Sequence, residues 1–176
     1  QCSPAAAQVF QQLDALRPGT SQQCFSGTEA ELKETRNTQP CMFAVELAAA
    51  AVGCEPARIA KTLSFAVGDR VALVVCAGDA RIANPKFKAQ FGTKPRMLPA
   101  EEAEERVGHA VGGVCPFAVN EDCDVYLDES LRRFDVVYPA CGSSNSAIEL
   151  TPQKLEQYAS SFSGWVDVCK NWRENG

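Results

Sequence analysis

Residues 61–77 constrain the fold of this chain more tightly than any other stretch. Lys61-Thr62-Leu63-Ser64-Phe65-Ala66-Val67 alternates polar and apolar side chains, the period of a strand with one covered face. Gly68-Asp69-Arg70 follows as a tight turn, and Val71 to Ala77 is then almost wholly apolar. The second strand of this hairpin has no polar face to offer water. It therefore belongs in the middle of a sheet, with layers packed on both sides.

The flanking sequence supplies those layers. Ser3-Pro4 caps and opens a helix to about Leu16, Arg17-Pro18-Gly19-Thr20 ends it, and residues 21–40 are polar and irregular. An alanine-rich helix is expected from Met42 to Val52, stopped by Gly53, with one helical turn over Glu55 to Ala60. Asn84-Pro85 caps a short helix ending at Gly92, Pro99 opens an acidic helix to Val107, and Thr151-Pro152 starts another. Further strands are expected at Val125–Leu127, Phe134–Tyr138, Ala147–Leu150 and Trp165–Val168. Residues 1–40 read as a lead-in and 41–176 as the main domain, forming one globular unit overall. The fold class is α/β (α+β mixed), a single domain on a mixed sheet.

Composition narrows the functional classes. Of 176 residues, 45% are hydrophobic and 22% charged, and no apolar run approaches the roughly 20 residues that span a bilayer, so no membrane role is expected. The net charge of -5 argues against non-specific binding to DNA or other long nucleic acid. Five cations without an acid (Arg81, Lys86, Lys88, Lys94, Arg96) either face a few phosphates or form a solvated face; Glu101, Glu102, Glu104 and Glu105 follow at once. Nine cysteines, an odd number without any Cys-x-x-Cys pair, together with a single histidine, predict reduced thiols and no metal site. No signal-peptide pattern opens the sequence, and a cytoplasmic location is expected.

The candidate site is Gly108-His109-Ala110-Val111-Gly112-Gly113-Val114-Cys115-Pro116-Phe117. Adjacent glycines let backbone amides approach a ligand closely, and Pro116 stiffens the run while holding Cys115 extended. Such a loop offers bare N–H donors to an ester carbonyl or a phosphate; the plainer reading is a turn between buried segments. Lys61, where a helical turn meets a strand, is either a fixed cation for the same ligand or a side chain reaching solvent along the strand edge.

Several spaced motifs in order give the chain a family likeness. They are Gly53-Cys54-Glu55-Pro56-Ala57-Arg58-Ile59-Ala60-Lys61-Thr62-Leu63, the Ala72–Gly78 strand, Gly108-His109 with Gly112 to Phe117, Asp128-Glu129-Ser130-Leu131, and Gly142-Ser143-Ser144-Asn145 before Ile148-Glu149-Leu150-Thr151-Pro152. Residues 41–169 thereby resemble the YbaK and prolyl-tRNA-synthetase-associated editing domains. The resemblance implies a curled mixed sheet or partial barrel surrounded by helices. It also implies hydrolysis of the ester in misacylated tRNA, without metal or cofactor. The implied partners are the tRNA acceptor end and an aminoacyl-tRNA synthetase. Lys61 falls on the family's functional lysine, and Gly112 to Pro116 on its Gly-x-x-x-Pro loop. His109 and Gly142-Ser143-Ser144 join Gly112, Gly113, Val114, Cys115 and Pro116 as implied substrate contacts. Where relatives best known for cysteinyl-tRNA clearance carry Asp, this chain has Ala147.

An aminoacyl ester is already activated, so a site need only position it, hold the oxyanion and admit water or the neighbouring ribose hydroxyl. Two other readings stand beside the deacylase. One is a non-catalytic module that grips an aminoacyl or nucleotide end. The other is a thiol enzyme using Cys115 or Cys141, which requires a cationic neighbour such as His109 or Lys61.

Overall fold

The computed structural model describes residues 45, 48–109, 113–142 and 146–173. Two compact units divide the chain, Gln1–Pro56 and Ala57–Gly176. In the first, residues 45 and 48–52 are helical. Gly53, left-handed at φ 76°, ends that helix by donating its N–H to Ala49 O at 2.8 Å. The helix expected from Ser3 to Leu16 and the polar lead-in lie outside the described residues.

The second unit holds strands β1 (Ile59–Val67), β2 (Arg70–Ala77), β3 (Arg81–Ile82), β4 (Cys123–Asp128), β5 (Tyr138–Pro139), β6 (Phe162–Val166) and β7 (Cys169–Lys170). Its helices are α1 (Asn84–Phe91), α2 (Ala100–Val107) and α3 (Pro152–Tyr158). Five strands form a mixed, curled half-barrel sheet in the order β5-β1-β2-β4-β6, and β3 pairs with β7 apart from it. The fold class is the one the sequence implies.

The hairpin turns in two residues, with Val67 opposite Arg70. Gly68 has φ 58° and Asp69 does not enter the left-handed region, an arrangement of the II′ kind that favours glycine first. Arg70 thus belongs to the strand. From Val71 to Ala77 every side chain of β2 is buried. On one face, α1 lays Phe87 against Phe65 of β1 (ring centroids 4.8 Å apart) and Phe91 against Tyr126 of β4 (5.1 Å). On the other, Cys123 Sγ donates to Arg106 O of α2 (3.4 Å), and Trp165 Nε1 to Glu156 of α3 (2.8 Å).

Several boundaries differ from the sequence expectation, each for a visible reason. Only Pro56–Arg58 forms a helical (3-10) turn, because Ile59 and Ala60 already pair with Tyr138 and Pro139. Ala83, not Asn84, occupies the cap position of α1, with no side-chain cap bond. The strand expected over Phe134–Tyr138 shrinks to Tyr138–Pro139. Glu129–Arg133 coils into a 3-10 turn, with Phe134 at its end beneath the guanidinium groups of Arg58 and Arg133. Ala147–Leu150 contributes isolated bridges alone, Ala147 to Ala140 and Leu150 to Val137. The last expected strand begins earlier, at Phe162, and breaks after Val166, where Val168 N donates to the buried Asp128 carboxylate (2.9 Å). Among the described residues no helix is long and apolar enough to cross a membrane.

At the hairpin end of the sheet, Arg70 Nε and Nη2 grip Asp124 at 2.6 and 2.8 Å, and this pairing holds the Asp124 carboxyl below its ordinary range. A depressed carboxyl contributes stability above the ordinary aspartate range and loses it as pH falls through the lowered value. Thermal melts of wild type and Arg70→Gln across acid pH should therefore differ modestly at neutrality and converge as Asp124 protonates. A gap that stays constant down to the most acid point would contradict this account.

Candidate functional site

Lys61 is the third residue of β1 and lies opposite Cys76 of β2, so both side chains share the α1 face. Its Nζ donates to Gly78 O at 3.0 Å and Ala80 O at 2.5 Å, both in the turn after β2. An ammonium has three hydrogens and accepts none. Two are thus committed to carbonyls, and among the described residues the third has no protein acceptor. On the outer side of β1, Ala60 pairs in parallel with Pro139. The chain then runs through Ala140 to Gly142, in the direction β1 takes from Lys61.

The loop after α2 is fastened at both ends. Gly108 is left-handed (φ 88°) and ends α2 by donating to Glu104 O at 3.0 Å. A Cβ at this position would stand 3.0 Å from Asn120 Oδ1, so glycine is favoured both by the backbone conformation and by the close side chain. Asn120 returns to the same helix end, its N–H to Val107 O (3.2 Å) and its Nδ2 to Glu105 O (3.1 Å), satisfying carbonyls the helix leaves unpaired. Ser160, just past α3, donates its N–H to Pro116 O at 2.8 Å and accepts from Ala118 N at 2.7 Å. These bonds hold Ala118 at φ 49°, a conformation costing about 1 kcal/mol for a non-glycine residue.

Inside this loop, His109 Nε2 lies 2.7 Å from Phe117 O. A carbonyl only accepts, so Nε2 carries a hydrogen, and in the neutral ring the lone pair is then on Nδ1. Nδ1 faces Gly142, where an added Cβ would come within 3.7 Å; the left-handed glycine (φ 79°) lets the chain pass over the imidazole. Cys115 Sγ lies 3.6 Å from both His109 Nε2 and Phe117 O.

This geometry speaks against a thiol nucleophile. His109 does stand beside Cys115, but its Nε2 hydrogen is directed to Phe117 O rather than to the sulfur. Cys115 is also buried at 1% exposure. Burial, and then the neighbouring Cys115, push the Cys141 thiol up. The hydrogen bond to Cys76, and then burial, do the same to Cys169. Thiolate chemistry needs the opposite shift. Among the described residues no group of three His, Cys, Asp or Glu could hold a metal ion.

The structure thus gathers His109, Cys115, Phe117 and Gly142, with Gly113 and Pro116 buried and Val114 half-buried in the same loop. It does not bring the Lys61 ammonium into hydrogen-bond contact with that loop among the described residues; Pro139 to Gly142 is the segment that runs between the two. Gly112, Ser143 and Ser144 lie outside the described residues. Two features escaped sequence reasoning. One is the Gly78–Ala80 turn that receives Lys61, which has no side-chain signature. The other is the role of Asp128-Glu129-Ser130: Asp128 Oδ1 caps Ser130 N (3.0 Å), and Ser130 Oγ accepts from Ala77 N (3.1 Å). The Asp-x-Ser spacing of an N-cap was the available signal.

A curled mixed sheet, a lysine held near one end of its strand β1 and a fastened loop after α2 define a small α/β domain. Residues 39–158 match the sequence profile of the aminoacyl-tRNA editing domain, and the chain belongs to that family. It is 56% identical over 130 residues to the uncharacterized protein YwhH of Bacillus subtilis, covering 73% of this chain and 82% of YwhH. It is 29% identical over 116 residues to EbsC of Enterococcus faecalis, a candidate Cys-tRNA(Pro)/Cys-tRNA(Cys) deacylase, covering 64% of this chain and 70% of EbsC. A crystal structure of a candidate trans-editing enzyme for prolyl tRNA synthetase superposes with a TM-score of 0.65 at 30% identity, covering 72% of this chain and 79% of the other.

The tautomer is directly checkable. In nitrogen-15 spectra of the folded protein with the ring in its neutral form, His109 should show a protonated Nε2 and a bare Nδ1. The reverse assignment would remove the bond to Phe117 that fixes the loop.

Proposed function

We propose that this chain is a trans-editing deacylase of the prolyl-tRNA editing type, hydrolysing the ester of misacylated tRNA in the cytoplasm. Water attacks the ester carbonyl, directly or after the neighbouring ribose hydroxyl has taken over the acyl group; the bond to the ribose oxygen breaks, and that oxygen takes up the proton that water loses. The loop amides at Gly112 to Val114 donate to the developing oxyanion. The remaining N–H of Lys61 anchors the carbonyl or a terminal phosphate, and the Nδ1 lone pair of His109 orients an incoming hydroxyl or ammonium. Cys115, Pro116, Gly142, Ser143 and Ser144 shape the amino-acid pocket. The partner is the tRNA acceptor end, delivered free or beside a synthetase.

The observation that carries this reading is the state of Lys61, a cation held by two carbonyls with no acceptor for its third N–H among the described residues, beside the Ala60–Pro139 pairing that leads on to Gly142. Preorganised donors of this kind suit an activated ester, because no strong nucleophile is needed. A binding-only module is favoured by one feature, the methyl of Ala147 where some relatives place a carboxylate.

Deacylation of a panel of mischarged tRNAs decides between them. Wild type should release amino acid from at least one member, and Lys61→Ala should lower that rate about a hundredfold or more, the usual cost of removing a charge-stabilising donor. Cys115→Ser should keep most of it. Binding without release would leave the module, and loss in Cys115→Ser with Lys61→Ala intact would restore the thiol enzyme.

A further inference from the structure

The turn that holds Lys61 has a lock of its own. Asp79 lies between the two carbonyls that accept from Nζ, those of Gly78 and Ala80. Arg133 grips its side chain with two prongs, Nη1 to Oδ2 at 3.0 Å and Nη2 to Oδ1 at 2.5 Å. The same guanidinium donates from Nε to Ser130 O (3.0 Å) and from Nη1 to Trp172 O (3.0 Å). It also lies over the rings of Phe134 (4.7 Å to the centroid) and Trp172 (5.6 Å). Few arginines are fixed at so many points while keeping a quarter of the side chain exposed.

Ion pairs this accessible contribute little to stability. Two parallel bonds to a planar carboxylate do fix orientation. The peptide plane that carries the Gly78 carbonyl ends at the Asp79 Cα, and the plane that carries the Ala80 carbonyl follows after one intervening peptide, so anchoring the Asp79 side chain restrains the first plane directly and the second through that short link. Rotation of either plane would turn an acceptor away from the ammonium and change where its third hydrogen points.

We propose that Arg133, acting through Asp79, is a positioning residue that aims the Lys61 ammonium, with the chain at Trp172 closing the clamp. This rests on Lys61 being functional, as proposed above. Two measurements separate the claims. In carbon-13-lysine-labelled protein, the Lys61 Cε resonance (assigned by its loss in Lys61→Ala) should move in Asp79→Asn and in Arg133→Lys. It should stay in Arg70→Gln, which breaks a comparable two-pronged pair at the other end of β2. Single-turnover deacylation should fall about ten- to a hundredfold in the first two variants, the scale of a misplaced group, with tRNA affinity little changed. In a Lys61→Ala background, Asp79→Asn should then cost nothing further.

An unmoved Lys61 resonance in both clamp variants, or an equal loss of rate with and without Lys61, would overturn the proposal. Should Lys61→Ala itself deacylate at the wild-type rate, the functional reading fails, while the resonance still reports on the clamp. If Asp79→Asn does not fold, Arg133→Lys, which keeps the charge, decides alone.

Discussion

Between Val71 and Ala77 no side chain of β2 is more than 3% exposed, so this strand must be paired along both edges and covered on both faces. β1 supplies one edge, antiparallel through a two-residue turn, and β4 the other, parallel and reached only by a long crossover. That crossover carries α1, α2 and the glycine loop, so the cover for the central strand and the candidate site arrive on the same stretch of chain. Where β2 ends, polar groups take over from apolar ones. The fully buried Asp128 carboxylate accepts from Ser130 N and Val168 N, while Ser130 Oγ accepts from Ala77 N. Each of these buried donors would cost about 1–3 kcal/mol if left unmet.

The site inherits its rigidity from this frame. Lys61 lies opposite Cys76 because the hairpin register puts it there, and its ammonium turns to the carbonyls that β2 exposes as it leaves the sheet. The glycine loop is held by side chains outside it, Asn120 at the α2 end and Ser160 at the α3 end. Its imidazole fixes Phe117 through Nε2, and Gly142 passes over the Nδ1 side of the ring.

Much of the frame was legible beforehand, because it depends on local pattern. The strand over Lys61–Val67, the apolar run to Ala77 and the glycine-ended helices reappear with boundaries shifted by a residue or two, although β1 buries Leu63, Ser64 and Phe65 in a row rather than alternately. Where the reading failed, a non-local partner prevailed. Phe134–Val137 has the composition of a strand, yet arginines stacked on Phe134 and the 3-10 turn before it draw that segment out of the ladder. β3 and β7 pair across a sequence separation that no local pattern announces. At the site, the residue types in Gly108–Phe117 flagged the loop, whereas the acceptors of Lys61 are backbone carbonyls and invisible in any motif.

The order of residues by itself determined that a central apolar strand would be sheathed in a mixed sheet. It also determined where helices stop at glycine, and which loop and lysine are candidates for chemistry, since each follows from side-chain period or backbone freedom at single positions. Tertiary structure alone decided which atoms those candidates face: Nε2 of His109 on a carbonyl, Lys61 on a turn clamped by Arg133, Cys115 buried beside that histidine. Hydrogen-bond direction and burial depend on partners far apart in the chain, and only the folded sheet brings them within reach.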